Sequence, residues 1–198
     1  MNEPVSDHRQ TVMSVLAGHR SADAEEAGDV EFIAAFVREN SNCFGKANPR
    51  GHITGSAFVL DPAGRVLLTF HRKLQRWLQL GGHSDEYEWD PATTAHREAC
   101  EESGLDTLDF HPRFGSAPLD IDVHLIPDNP KEAAHHHLDF RYVFYAPQPE
   151  AIVRGDESTD LRWFSISETT DLGFESALYR ALDKIEQVLA HDGSGAIQ

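Results

Sequence analysis

The spacing of apolar positions changes several times along the chain, and each change marks an element. Val30, Ile33, Ala34 and Val37 recur at helical spacing, with Phe32 and Phe36 as a second apolar pair, inside a stretch (6–40) that reads as helical. Asn40 to Gly51 is crowded with Asn, Ser, Gly and Pro and reads as a linker. From His52 the pattern is that of strands. Ile53 to Leu60 and Arg65 to His71 are joined by the turn Asp61-Pro62-Ala63-Gly64. A short strand over Trp77 to Leu80 is expected to stop at Gly81 and Gly82. Asp90 as N-cap, Pro91 at the first helical position and Gly104 just past the end predict a helix over about 91–103. Strands are expected near 118–126, 136–146 and 160–165. A final helix over about 174–191 places Leu178, Leu182, Ile185 and Leu189 on one stripe. The mixture predicts an α+β fold, helices packed on a mixed sheet, with an N-terminal helical extension (1–45) before the main domain (46–198).

Strand parity adds a first chemical hint. In 119–125 the odd positions Leu119, Ile121, Val123 and Leu125 are apolar, and the even positions Asp120, Asp122 and His124 are polar. In 136–144, Leu138, Phe140, Tyr142 and Phe144 alternate with His137, Asp139 and Arg141. A hairpin between the two strands would put both polar sets on one side, facing either bulk solvent or a cleft that binds phosphate. If the cleft reading holds, Arg141→Ala should weaken substrate binding more than stability. His135-His136-His137 raises a transition-metal reading, but neighbouring strand residues point to opposite faces, so at most two share one. Such a triplet more often lies at a solvated strand edge than at a dedicated site.

Composition narrows the class. A chain of 198 residues with 40% hydrophobic positions can bury one core of ordinary size. Its 33 acidic residues against 17 Lys and Arg give a formal charge of -16, which argues against a nucleic-acid partner. An acidic enzyme can still take phosphorylated metabolites when a metal ion supplies positive charge. Cys43 and Cys100 are too few for a disulfide scaffold. With no membrane-length apolar run, the expectation is a cytoplasmic protein without a membrane partner.

The most informative segment is Gly81-Gly82-His83-Ser84-Asp85-Glu86-Tyr87-Glu88-Trp89-Asp90-Pro91, continuing to Arg97-Glu98-Ala99-Cys100-Glu101-Glu102-Ser103-Gly104-Leu105. On a helix Glu98 meets Glu101 at i+3 and Glu102 at i+4, a repulsive arrangement that a hard divalent cation would offset. A solvated acidic face with ordinary ion pairs is the plainer alternative. Cys100 reads as a small core residue.

This pattern resembles the Nudix box: a glycine, five residues, a glutamate, seven residues, then R-E-U-x-E-E-x-G-U with U apolar. Here eight residues separate Glu88 from Arg97, so the helix register puts Trp89 at the first glutamate position. The extra residue is expected in the loop 83–89, with Glu88 or Glu86 turning back to Arg97. The resemblance spans about His52 to Glu168 and implies a Nudix-type α/β/α sandwich with a mixed sheet. It implies a hydrolase that cleaves a diphosphate linkage in a nucleoside diphosphate joined to another group, or in a related small phosphorylated metabolite. It implies Mg²⁺, with Mn²⁺ able to substitute, held by Glu98, Glu101 and Glu102 and the Gly81 carbonyl. Arg97 would orient the glutamates, and Glu157, from a later loop, would bind metal or act as base. Strand parity, independently of the resemblance, points to Asp122, His124, His137, Asp139 and Arg141 as residues that would contact substrate. The Gly-Gly-His opening and the His-Leu-Asp-Phe-Arg strand look like a bacterial subgroup of unsettled substrate. Two other readings are a diphosphate isomerase, which would want a poised cysteine, and a non-catalytic ligand-sensing module, which would have lost box glutamates. The N-terminal extension is expected to pack on the domain or form a homodimer, the rival being a lid over the cleft.

Overall fold

A computed structural model describes residues 8–130, 132–155 and 158–191. The helical stretch at the start is in two pieces, α1 (His8–Gly18) and α2 (Ala24–Glu39). The second begins at Asp23, whose carboxylate accepts the Glu26 N–H at 2.8 Å, a side-chain cap. There follow β1 (Gly51–Leu60), β2 (Val66–His71), β3 (Arg76–Leu78) and β4 (Leu80–His83), then α3 (Pro91–Ser103). The rest comprises β5 (Asp109–Phe110), β6 (Asp120–Ile126), β7 (His135–Tyr145), β8 (Ser158–Phe164) and α4 (Ser176–Ala190).

β1 and β7 run parallel through the centre, paired from Gly51 with His136 to Leu60 with Tyr145. Every other strand pairing among the described residues is antiparallel. Each central strand forks. β1 pairs with β4 over Thr54–Ala57 and with β2 at Val59 and Leu60. β7 pairs with β6 over 135–141 and with β5 at Phe144 and Tyr145. The result is a curled mixed sheet.

The strand expected over 77–80 differs. It is two strands, and β4 runs through Gly81 and Gly82, which pair with Ser56 and Gly55. The glycines lie inside the ladder because β4 must pass close to β1 and to α3. β5 is too short for a period to show.

Helices cover both faces. Ile53, Ala57 and Val59 of β1 join Ile33 and Phe36 of α2 and Ala95 and Ala99 of α3 in one apolar cluster. Phe58 and Leu60 face Leu178, Leu182 and Ile185 of α4 in a second. Each large side chain so buried stabilises by about 1.5–3 kcal/mol. The helix α3 ends where expected, with Gly104 at φ 68° donating its N–H to the Cys100 carbonyl.

The N-terminal helices share the main core. Ile33 and Val37 are fully buried, and Val30 and Ala34 lie beside Met13 and Leu16 of α1. Two of the four stripe positions are thus covered within the chain, while Val30 and Ala34 are half-buried. α2 also buries a charge. The Glu26 carboxylate, 0% exposed, accepts from Lys184 Nζ at 2.7 and 2.8 Å and from the Ile121 N–H at 3.1 Å. Among the described residues no helix is long and apolar enough to cross a membrane.

Candidate active site

The site is built where α3 crosses the end of β4. Arg97 organises it. Its Nε donates to Glu88 Oε1 at 2.9 Å and its Nη2 to Glu88 Oε2 at 3.1 Å, a two-point clasp. The same Nη2 donates to the His83 carbonyl at 2.7 Å and to Glu98 at 3.1 Å, and Nη1 donates to Glu101 at 2.9 Å. Glu88, not Glu86, therefore turns back to Arg97. The extra residue is taken up at Tyr87, which adopts φ 76° and is 76% exposed. Trp89 turns inward and stacks on His8. Burial pushes the Glu88 carboxyl up, but the Arg97 hydrogen bond and charge outweigh it and leave it below its ordinary value.

Glu98 and Glu102 lie against the glycine strand. The Gly81 N–H donates to Glu102 Oε2 at 3.0 Å. A Cβ on residue 82 would stand 2.5 Å from Glu98 Oε1, so a side chain there would displace the carboxylate. Burial raises Glu98; Arg97 opposes the rise, and the negative charge of Glu101 adds to it. Glu98, Glu101 and Glu102 line one cavity and offer carboxylate oxygens, the donor type that a hard divalent cation takes. Glu157 lies outside the described residues; Gly155 and Ser158, on either side of it, line the same cavity.

The polar strand faces arrive at this cavity from the sheet. Register aligns them in rows: Asp120, Arg141, Ser56 and Gly81; then Asp122, Asp139, Thr54 and His83; then His124, His137 and His52. Further along β1 and β7 the same sheet face turns apolar, at Phe58 and Val143, under α4. The polar rows are not turned to bulk solvent. Asp139 Oδ1 accepts from the Thr54 and Ser56 hydroxyls at 2.9 Å each. Arg141 is buried, donating to Asp139 at 3.1 Å, Asp120 at 3.0 Å and Asp122 at 2.8 Å. Asp122 also meets His124 Nδ1 at 2.8 Å. Arg180 and Lys184 of α4 close the network on Asp120 at 2.9 and 2.7 Å.

One cavity of about 1000 Å³ takes in Glu98, Glu101 and Glu102 together with Asp122, His124, His137, Asp139 and Arg141. None of its described lining residues comes from α1 or α2. Sequence reasoning missed Lys46, Thr54 and Ser56 in its wall. Lys46 lay in a stretch that reads only as linker, and the hydroxyls became visible only once β1 was set beside β7. It also missed His52 and His83 as a group with His137. Burial, then neighbouring imidazoles and Lys46, lower these rings to about 4 for His52 and about 3 for His83. Burial and the surrounding histidines take His137 to about 2. Of the triplet, His135 and His137 share a face, and His136 lies on the other, against Phe32.

A family model described as the NUDIX domain matches residues 51–185. A probable DHNTP pyrophosphohydrolase of Lactococcus lactis subsp. cremoris is 30% identical over 124 residues, 62% of this chain and 70% of the relative. Among solved structures, a NUDIX family hydrolase from Clostridium perfringens aligns with TM-score 0.52 and 27% identity, covering 69% of this chain and 97% of that one. A C. elegans Ap4A hydrolase in a binary complex aligns with TM-score 0.53 and 17% identity, covering 70% and 98%. The E. coli dihydroneopterin triphosphate pyrophosphohydrolase aligns with TM-score 0.52 and 17% identity, covering 70% and 95%.

Proposed function

Because the chain belongs to the NUDIX family and is a hydrolase of pyrophosphate bonds, we propose that it uses Mg²⁺, with Mn²⁺ able to substitute, to cleave a diphosphate linkage in a small phosphorylated metabolite. The substrate is a nucleoside diphosphate joined to another group, or a pterin triphosphate like that in the relative's name. The observation that carries this reading is the single cavity onto which the α3 carboxylates and the polar rows of β6 and β7 both open. It is large enough for a nucleotide-sized ligand.

Glu98, Glu101 and Glu102 would hold the ion, with the Gly81 carbonyl as a further ligand. When bound, Mg²⁺ neutralises phosphate oxygens and acidifies a water. Arg97, clasped by Glu88, fixes the carboxylates, so no reorganisation is needed as charge develops. Water attacks one phosphorus, the bridging P–O bond breaks, and two phosphorylated products leave. Glu157 takes the proton from the water. His124, Asp122 and His137 orient the part of the substrate that does not react, and Lys46 offsets phosphate charge. Asp139 and Arg141 hold the wall in shape.

The isomerase reading is weaker here. The Cys100 thiol faces His96, at 3.9 Å, and burial with nearby Asp106 and Glu101 raises it, the opposite of a poised nucleophile. Against a ligand sensor, the box glutamates are intact. A screen of nucleoside diphosphate conjugates and pterin triphosphates with Mg²⁺, read by mass spectrometry, tests the proposal. Glu102→Gln should lower turnover on the order of 100-fold or more with an unchanged melting curve. Full turnover in excess chelator, or an undiminished Glu102→Gln enzyme, would overturn it.

A further inference from the structure

We propose that His52, His83 and His137 form a second cation site, for a nitrogen-preferring divalent transition ion such as zinc, set in the cavity wall apart from the glutamates. Three neighbouring strands supply the rings. His52 on β1 is paired directly with His137 on β7, and His83 on β4 pairs with Thr54, two residues along from His52. One ring nitrogen from each lies within 4.8 Å of the others. His83 Nε2 and His137 Nε2 share a hydrogen bond at 3.2 Å, a separation also close to the roughly 3.3 Å expected of two nitrogens on a tetrahedral zinc with bonds of about 2.0–2.1 Å.

His52 carries the second, independent observation. It is 1% exposed, and among the described residues neither ring nitrogen has a hydrogen-bond partner. A histidine buried for packing alone would ordinarily satisfy at least one. The neighbouring histidines are differently placed: His135 Nδ1 meets the Ala133 carbonyl at 2.8 Å, and His124 Nδ1 meets Asp122. The nearby carboxylate, Asp139, is already taken by Thr54, Ser56 and Arg141. A donor set of nitrogens suits zinc and rejects Mg²⁺, which the glutamates suit instead. His83 and His137 line the cavity, so an open position would face it and take water or an anionic oxygen. The His83 carbonyl also accepts from Arg97, which links this site to the carboxylate anchor.

The test titrates the chelator-stripped full chain with Co²⁺ in excess Mg²⁺. The expected result is the intense visible absorption of four-coordinate, nitrogen-ligated cobalt, displaced by Zn²⁺. His52→Gln should weaken Co²⁺ binding at least ~10-fold, the loss that even an outer support residue causes, and Glu102→Gln should leave the absorption unchanged. Should His52→Gln not fold, imidazole nitrogen resonances of the wild-type chain must shift for His52, His83 and His137 when Zn²⁺ is added. No cobalt absorption, absorption lost in Glu102→Gln and kept in His52→Gln, or unshifted imidazoles would each overturn the proposal.

Discussion

At the scale of single residues, the arrangement turns on which carboxylate reaches Arg97. The Nudix spacing is broken by one residue, and sequence left Glu88 and Glu86 as equal candidates, because a loop insertion has no period to place it. The left-handed backbone at Tyr87 settles it for Glu88. Glu88→Gln keeps the shape and removes the charge that holds Arg97. Hydrolytic efficiency should fall ~10- to 100-fold, as for other outer supports of metal ligands, with Glu86→Gln near wild type. Equal effects of the two would contradict this placement. Arg141 shows the opposite case. Parity put it on the cavity side, and it is there, but its donors are spent on Asp120, Asp122 and Asp139. Sequence expected Arg141→Ala to weaken binding more than stability; the burial reverses the order. Removing the cation leaves three carboxylates facing one another, and urea denaturation should show a loss on the order of 3–5 kcal/mol. A variant of wild-type stability with a raised KM would restore the first reading.

Elements were legible where a period or a cap wrote them. The cap at Asp90, Pro91 and the stop at Gly104 define α3, and the alternation in 119–125 and 136–144 defines β6 and β7. What no local pattern carries is the parallel pairing of β1 with β7. That pairing joins residues some eighty positions apart and sets Thr54 and Ser56 against Asp139, and His52 against His137. The role of α2 was half legible: its stripe asked for a covering surface, and its buried charges gave no such signal. Asp29 of this helix sits near Asp122 and accepts the Val123 N–H; burial and the Asp122 charge raise its carboxyl to about 6 from 3.8. A raised acid favours the folded state below its unfolded value and loses that contribution as pH climbs through about 6. Asp29→Asn should therefore raise the melting temperature at about pH 8 and leave it unchanged at about pH 4. A gain independent of pH, or a loss at the higher pH, would show that Asp29 is not a raised, destabilising acid in the folded chain.

At the scale of the whole molecule, one sheet face is divided along its strands. One end, at Phe58 and Val143, is sealed by α4; the other is polar, with Ser56 and Thr54 on the cavity wall and His52 buried beyond them. The charge network from Glu26 through Lys184, Asp120 and Arg141 to Asp139 runs beneath both and ties the N-terminal helices to the cavity wall. A chain of charge -16 repels a diphosphate unless cations stand at the point of reaction, the role that the proposed function gives the glutamates of α3. The most direct test is to locate Mn²⁺ by anomalous scattering in crystals grown with a non-hydrolysable diphosphate analogue. The expected result is density between Glu98 and Glu102, beside Gly81, in contact with the analogue's phosphate oxygens. Saturating Mn²⁺ with no density at these carboxylates, and the analogue bound away from them, would contradict the proposed chemistry.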